Sequence, residues 1–292
     1  MKSFAHFEQS RRWSAEEVLV IEQVSRLASE VIAPRAGQLD EQKAFPWANI
    51  QAFKEIGLNG IFVPEEYGGS PISYRCFLEV VRIISQACAA TGIIFGTNSA
   101  TVKPIVEFGT EEQKHRFLPR IADGGLGALA ITEPHAGSDG GNIQTKFRPD
   151  GDDIVINGGK IFITTGDVAD LILLFGKWTE MENSPKAVSA VVLEKGTPGL
   201  EVVRLETKMG THASSTAELA FTECRVPRAN LLGQPGDGMK IMMSVLNKSR
   251  PSVAAQALGI ASAALAMLPS ARVCGSLPMS VAGSATGGWR SC

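Results

Sequence analysis

The stretch Ala130–Asn142, AITEPHAGSDGGN, gathers groups that can bind or react. Thr132 and Ser138 bring hydroxyls, and Glu133 and Asp139 bring carboxylates. Gly137, Gly140 and Gly141 leave backbone that a ligand can approach closely. A glycine-rich turn beside an apolar run suggests a phosphate cradle. This one lacks the lysine of a P-loop and the spacing of a dinucleotide fingerprint. Hydroxyls and open backbone at a strand end suit a flat heterocycle with several ring donors and acceptors. A structural turn with Asx-type hydrogen bonds is the competing reading.

The elements around this stretch decide what it can be. Ser14–Glu17, SAEE, is a capping box, and Val18, Ile21, Val24, Leu27, Val31 and Ile32 follow near helical spacing until Pro34. Further helices are expected from Pro46 to Gly57, from Ser73 to Gln86 with Phe77, Val80, Val81 and Ile84 inward, and after a second capping box, Thr110 with Gln113. Ala87–Ala100 reads either as pocket floor or as ordinary helix packing. Near Leu126 the texture turns to strands. Ile154 and Ile156, then Asn157-Gly158, then Ile161 and Ile163 predict a hairpin turning at Asn157-Gly158. DLILLF, AVSAVVL and AELAF predict three more strands, ending near Pro235. A helix then resumes, with Pro251 expected to kink it or to sit at its start. The order of helices, a β-domain and helices lacks βαβ alternation, so GSDGG is not expected to be a pyrophosphate loop.

Bulk properties narrow the function classes. The 292 residues are 44% hydrophobic and 20% charged, with a net charge of -2. That is a globular composition with no electrostatic case for nucleic acid or an anionic membrane surface. No apolar run reaches the roughly 18 residues of a membrane span, and the N-terminus lacks a secretory core. The five cysteines, with no CxxC spacing, fit free thiols rather than a metal site, and a soluble cytoplasmic protein is expected.

With these residues in view, the chain resembles the acyl-CoA dehydrogenase family over about residues 14–265. The opening stretch is similar to the family signature. VPEEYGG, FGTEEQKHRFLP, KIFITTG and KMGTHASSTAELAFTECRVPRANLLG agree with the family in order. The resemblance implies an α+β fold: an N-terminal helical domain (1–125), a middle β-barrel-like domain (126–235) and the start of a C-terminal helical bundle (236–268). It implies FAD as cofactor. Leu129, Ile131 and Thr132 would line the flavin, Gly137 and Ser138 would reach its phosphates and the thioester ligand, and Phe162, Ile163 and Thr164 would pack over the ring. Many relatives carry Trp where this chain has Phe162, which keeps an aromatic face. Asn247 and Arg250, with Ser138, would contact substrate. The implied reaction is α,β-dehydrogenation of an acyl-CoA thioester, with hydride passing to flavin N5 and electrons leaving to an electron-transfer flavoprotein. Intact relatives are tetramers, so a homo-oligomer is implied.

The resemblance also raises a difficulty. Most relatives carry the glutamate base on a late helical segment, and a minority carry it where this chain has Ser249. No catalytic base is matched, and Glu133 and Asp139 are assigned structural roles. The last 27 residues contain no carboxylate side chain and show no helical period. Residues 269–292 are expected to be a flexible tail, or sequence that replaced a longer C-terminus by truncation or a frame change. Impaired activity is therefore expected. A flavin oxidase or monooxygenase on the same scaffold, or a non-catalytic binding remnant, are the alternatives.

Overall fold

The computed structural model describes residues 13–184 and 186–267, so the expected tail lies outside the described residues. Among the described residues six α-helices come first. α1 (Ala15–Leu27) opens with the expected capping box: Ser14 Oγ accepts the Glu17 N–H, and the Glu17 carboxylate accepts the Ser14 N–H. Pro34 does not stop the helical run. The backbone widens into one π turn at Ala28–Ile32, and α2 (Ala33–Gln42) continues. Pro34 follows the widened turn directly, at the start of α2, and the i→i−5 bonding ahead of it absorbs the proline's missing N–H without ending the run.

α3 (Trp47–Glu55), α4 (Tyr74–Ala87) and α5 (Ala89–Phe108) follow, and α6 (Glu111–Ala122) carries the second capping box. The expected inward residues of α4, Phe77, Val80, Val81 and Ile84, are all buried. Phe95 of α5 meets Phe53 and Phe62 at ring centroid distances of 5.4 and 5.3 Å, which places α5 at the centre of the helical core.

The strands are β1 (Gly127–Ala130), β2 (Lys146–Asp150), β3 (Asp153–Thr164), β4 (Leu171–Trp178), β5 (Val188–Glu194), β6 (Leu200–Leu205), β7 (Thr216–Pro227) and β8 (Leu231–Leu232). They form one eight-stranded sheet, ordered β6-β7-β3-β2-β4-β5-β8 with β1 paired parallel to β4. β4 and β5 read as unbroken apolar runs because both of their faces are covered. Leu171, Leu173 and Phe175 join the helical core, while Ile172 and Leu174 face an inner core with Phe147, Trp178 and Val191. The sheet thus curls around its own core and lays its outer face on the helices, the barrel-like domain that was expected.

The hairpin expected at Asn157-Gly158 is not there. β3 runs straight through both residues, and the chain turns instead at Gly151-Asp152, joining β2 to β3. Asn157-Gly158 is a bulge against β7, where the register shifts between Ile156 and Gly158. Asn157 is tied to the opposing strand by accepting the Glu223 N–H (2.9 Å) and donating to Glu223 Oε1 (2.8 Å). Gly158 has φ +148, and a Cβ there would lie 2.7 Å from Thr145. The same permissive dipeptide serves a bulge as well as a turn.

Past the sheet, α7 (Gly238–Met267) contains Pro251 within its length and packs on α4 and α5, burying Ser252 and Gly259. Its other side exposes Val253, Leu258, Ile260 and Leu265. Among the described residues no helix is long and apolar enough to cross a membrane, and Cys76, Cys88 and Cys224 are buried free thiols.

Gln113 fastens the helices to the sheet. Its side-chain amide donates to Ala229 O and Leu231 O, each at 2.7 Å, while its oxygen accepts the Thr110 N–H. Thr110→Ala removes one cap acceptor and is expected to lower stability by about 1 kcal/mol. Gln113→Ala strands two carbonyls as well, and is expected to cost about 2–3 kcal/mol. Urea titrations of both variants check the order; equal losses would show that the inter-domain bonds contribute nothing.

Candidate functional site

The site is built where β1 ends against β3. Helix α5 sets the start of β1, because Asn98 Oδ1 accepts the Gly127 N–H at 2.8 Å. Asp170 accepts the Leu126 N–H (2.8 Å), and Thr165 Oγ1 donates to Gly127 O (2.9 Å). β1 then runs out through Leu129 to Ile131 and Thr132, all half-buried. Leu129 and Ile131 pack on the helical core. The Ile161 N–H donates to Thr132 O at 2.9 Å, which lays Thr132 beside the end of β3.

That end of β3 is distorted. Between Lys160 and Ile163 the pairing with β7 slips, and Phe162 takes φ +60. Thr165 follows at φ +59, anchored by Ser215 O accepting its N–H. Positive φ on a bulky and a β-branched residue is strained backbone, which persists only where neighbours fix it. The outcome is a Phe162 ring that is 60% exposed. Ile163 points the other way, into the barrel core, so it offers backbone only. Thr164 is half-buried beside them.

Beneath this surface lies a buried ion pair. Lys160 Nζ is 2.7 Å from Glu133 Oε1, with side chains 0% and 4% exposed. Lys160 also donates to Ile131 O at 2.8 Å. Glu133 accepts the Thr145 hydroxyl (2.7 Å), the Thr145 N–H (3.0 Å) and the Gln144 N–H. Burial disfavours the Glu133 charge, but Lys160 and these donors outweigh it and hold the carboxyl below its usual range. Burial lowers Lys160, and Glu133 offsets part of that shift. Glu133 therefore has no spare capacity to act as a base, in keeping with its expected structural role. Lys160 was not singled out from sequence; a lysine in an alternating strand reads equally well as a solvated edge residue.

The loop after Glu133 folds back through a bridge to Ala136 and then exposes Gly137, Ser138 and Asp139. Gly137 has no positive φ, and a Cβ there would touch nothing within 4 Å, so the fold itself does not call for glycine. Gly140 sits against α7, where a Cβ would lie 2.8 Å from Met242 Sδ. Asn247 and Arg250 follow on the same helix, both exposed, with Arg250 donating to Asn247 Oδ1 at 2.9 Å. Ser249 lines a small cavity of about 10 Å³ with Ser99, Lys103 and Lys248. Burial and the nearby Lys248 pull Lys103 down to about 8. The structure thus joins Leu129, Ile131 and Thr132 to Phe162–Thr164, and sets the Ser138 loop beside α7, with Asn247 and Arg250 one to two turns further along.

Known proteins share this fold. Residues 14–125 match the description "Acyl-CoA dehydrogenase, N-terminal domain", and residues 128–224 match "Acyl-CoA dehydrogenase, middle domain". An acyl-CoA dehydrogenase of Bacillus subtilis is 42% identical over 252 residues, covering 86% of this chain and 66% of the relative. A chain in a structure of the electron transferring flavoprotein of Acidaminococcus fermentans superimposes with a TM-score of 0.85 at 40% identity, covering 88% of this chain and 68% of that one. An acyl-CoA dehydrogenase of Bacillus anthracis complexed with FAD gives a TM-score of 0.78 at 31% identity, covering 85% and 43%. The chain belongs to the acyl-CoA dehydrogenase family. It spans just under two thirds of the length of the Bacillus subtilis relative.

Glu133→Gln leaves the Lys160 ammonium buried without its anion and is expected to destabilise the fold by about 3–5 kcal/mol. Because the folded carboxyl sits below its unfolded value, its contribution is complete above about pH 4.5 and is lost as pH falls through the folded value. In urea melts the gap between wild type and variant is therefore expected to be full at pH 7 and to narrow as the pH is taken down into the acid range. A gap that stays constant with pH contradicts this assignment.

Proposed function

We propose that the chain is an FAD-dependent acyl-CoA dehydrogenase component, and that the surface from Leu129 to Ser138 and from Phe162 to Thr164 receives the flavin. The observation that carries this is a set of donors with no internal use. Among the described residues nothing accepts from the Thr132 N–H or hydroxyl, the Ser138 hydroxyl or the Thr164 hydroxyl. Thr132, bonded to Ile161, and Thr164 flank Phe162, an exposed aromatic held in strained backbone, and Ser138 stands on the loop that follows. A flat heterocycle stacked on Phe162 would find Thr132 and Thr164 as its nearest free donors. The name of the Bacillus subtilis relative and the FAD complex of the Bacillus anthracis relative support the reading.

Bound FAD supplies the redox chemistry, accepting hydride from the β-carbon of an acyl-CoA thioester. This chain's residues bind and orient. Phe162 presents a ring face, and Thr132 and Thr164 present donors along the strand ends. Ser138 and the bare Gly137 backbone approach phosphate or thioester oxygen, and Arg250 offers a cation on α7. Electrons leave to an electron-transfer flavoprotein, a partner consistent with the Acidaminococcus fermentans match. The exposed apolar side of α7 supports self-association, and the buried free thiols suit a reducing compartment such as the cytoplasm.

Proton removal is the weak point. Glu133 is fully engaged, and the α7 position offered for a base holds Ser249, a hydroxyl. Turnover by this chain is expected to be impaired.

Two measurements test the reading. Purified protein titrated with FAD should quench flavin fluorescence and acquire a bound-flavin spectrum, and Phe162→Gly should weaken binding about tenfold or more. The same change relieves left-handed strain of about 1–2 kcal/mol against a glycine entropy cost of about 0.5–1 kcal/mol, so the flavin-free protein should melt no earlier than wild type. A variant that binds FAD normally removes Phe162 from the site. In a butyryl-CoA assay with a ferrocenium-type acceptor, Ser249→Glu should raise turnover by about 100-fold or more, the contribution of a positioned base. Wild-type turnover at ordinary family rates would refute the impairment.

A further inference from the structure

The buried pair is more than a staple, because of where the second contact of Lys160 falls. The Lys160 ammonium donates to Ile131 O, the carbonyl of the very peptide whose other end is the Thr132 N–H. A cation on a peptide carbonyl polarises that amide and strengthens its N–H as a donor. That N–H has no acceptor among the described residues. The neighbouring carbonyl, Thr132 O, is fixed by the Ile161 N–H, and Glu133 is fixed by Lys160, Thr145 and Gln144. Thr132 is therefore held on both sides, with only its N–H and hydroxyl left free.

The arrangement is costly. A lysine that is 0% exposed has given up all its hydration, and a barrel of this size could fill the position with an apolar residue at less expense. Its two bonds also span the two segments that converge on the site, the end of β1 and the bulge of β3 at Phe162. The ammonium's need for a second acceptor is met at the one carbonyl whose peptide ends in the free Thr132 N–H.

We propose that Lys160 is a positioning residue for the flavin: with Glu133 as its counter-ion it aims and polarises the Ile131–Thr132 peptide, so that the Thr132 N–H becomes the strongest single donor to the ring. This rests on the flavin reading above. A donor so preorganised favours negative charge on the ring it faces, which ties the pair to the redox potential as well as to affinity. Lys160 touches neither substrate nor ring; it acts through the peptide.

Lys160→Met alone leaves Glu133 buried and unpaired, and folding can fail. The decisive variant is the double change Lys160→Met with Glu133→Gln, which removes both charges at similar volume. Wild type is first titrated with FAD. Absence of binding there refutes the flavin reading, and the positioning role is then decided on flavin-free protein by amide hydrogen exchange. If the inference holds, exchange at Ile131–Glu133 is faster in the double variant than in wild type while exchange in α4 and β5 is unchanged. Unchanged exchange at Ile131–Glu133 overturns it. Where wild type binds, the folded double variant should show an FAD Kd raised tenfold or more, a shifted visible band and a lowered flavin midpoint potential. A double variant with wild-type Kd, band and potential overturns the inference, whatever its melting temperature.

Discussion

Lys160 is the constraint on which the site depends. An ammonium with no route to water must have its protons taken by protein oxygens, or it will not stay charged in the fold. Ile131 O and Glu133 Oε1 take them, and in doing so they draw the end of β1 onto β3. Glu133 in turn gathers Thr145 and Gln144, which closes the loop carrying Gly137 and Ser138. One buried charge thus fixes three segments that are more than ten residues apart in sequence. Without it the strand end would be an ordinary loop, free to satisfy Thr132 internally.

The same clamp explains how backbone strain survives. Phe162 and Thr165 both hold positive φ within a four-residue span. Each costs on the order of 1–3 kcal/mol and would relax if its flanks could move. They cannot. Lys160 is pinned below, Ile161 donates to Thr132 O, and Ile163 is buried in the barrel core. Thr165 is tied to Gly127 and Ser215. The bulge turns an alternating strand, which should hide one residue in two, into a platform that shows an aromatic ring to solvent.

Much of this was legible in the sequence where local rules act alone. The capping boxes at Ser14 and Thr110 form as written, because each is settled within four residues. The apolar runs of β4 and β5 announced strands, and the structure buries both of their faces. Failures came where tertiary partners override a local preference. Asn157-Gly158 suits a hairpin in isolation, but Glu223 and Thr145 make it a bulge. Pro34 ends a regular helix, but a π turn ahead of it absorbs the missing N–H. The edge strand β6 escaped notice because its residues are mostly exposed and its pattern does not alternate. Lys160 was invisible for a deeper reason. Its meaning lies in a carboxylate 27 positions away and in a peptide carbonyl that no sequence pattern reports.

The division of labour between the two carboxylates of the opening stretch follows from burial. Asp139 stands on an exposed loop, where water solvates its charge as well as any protein donor could. Glu133 sits at 4% exposure, where each lone pair must find a donor from the chain. A carboxylate so satisfied is a poor base, because protonating it breaks charge-assisted bonds that burial has made strong. A general base needs the opposite environment: partly desolvated, but with one acceptor site left open towards the substrate. The described residues build that environment for donors, at Thr132, Ser138 and Thr164, and not for a proton acceptor. The surface proposed for the flavin therefore offers donors and no open acceptor at Glu133. Deprotonation is a separate requirement, because Glu133 is spent on Lys160 and the residue at the α7 position is a serine.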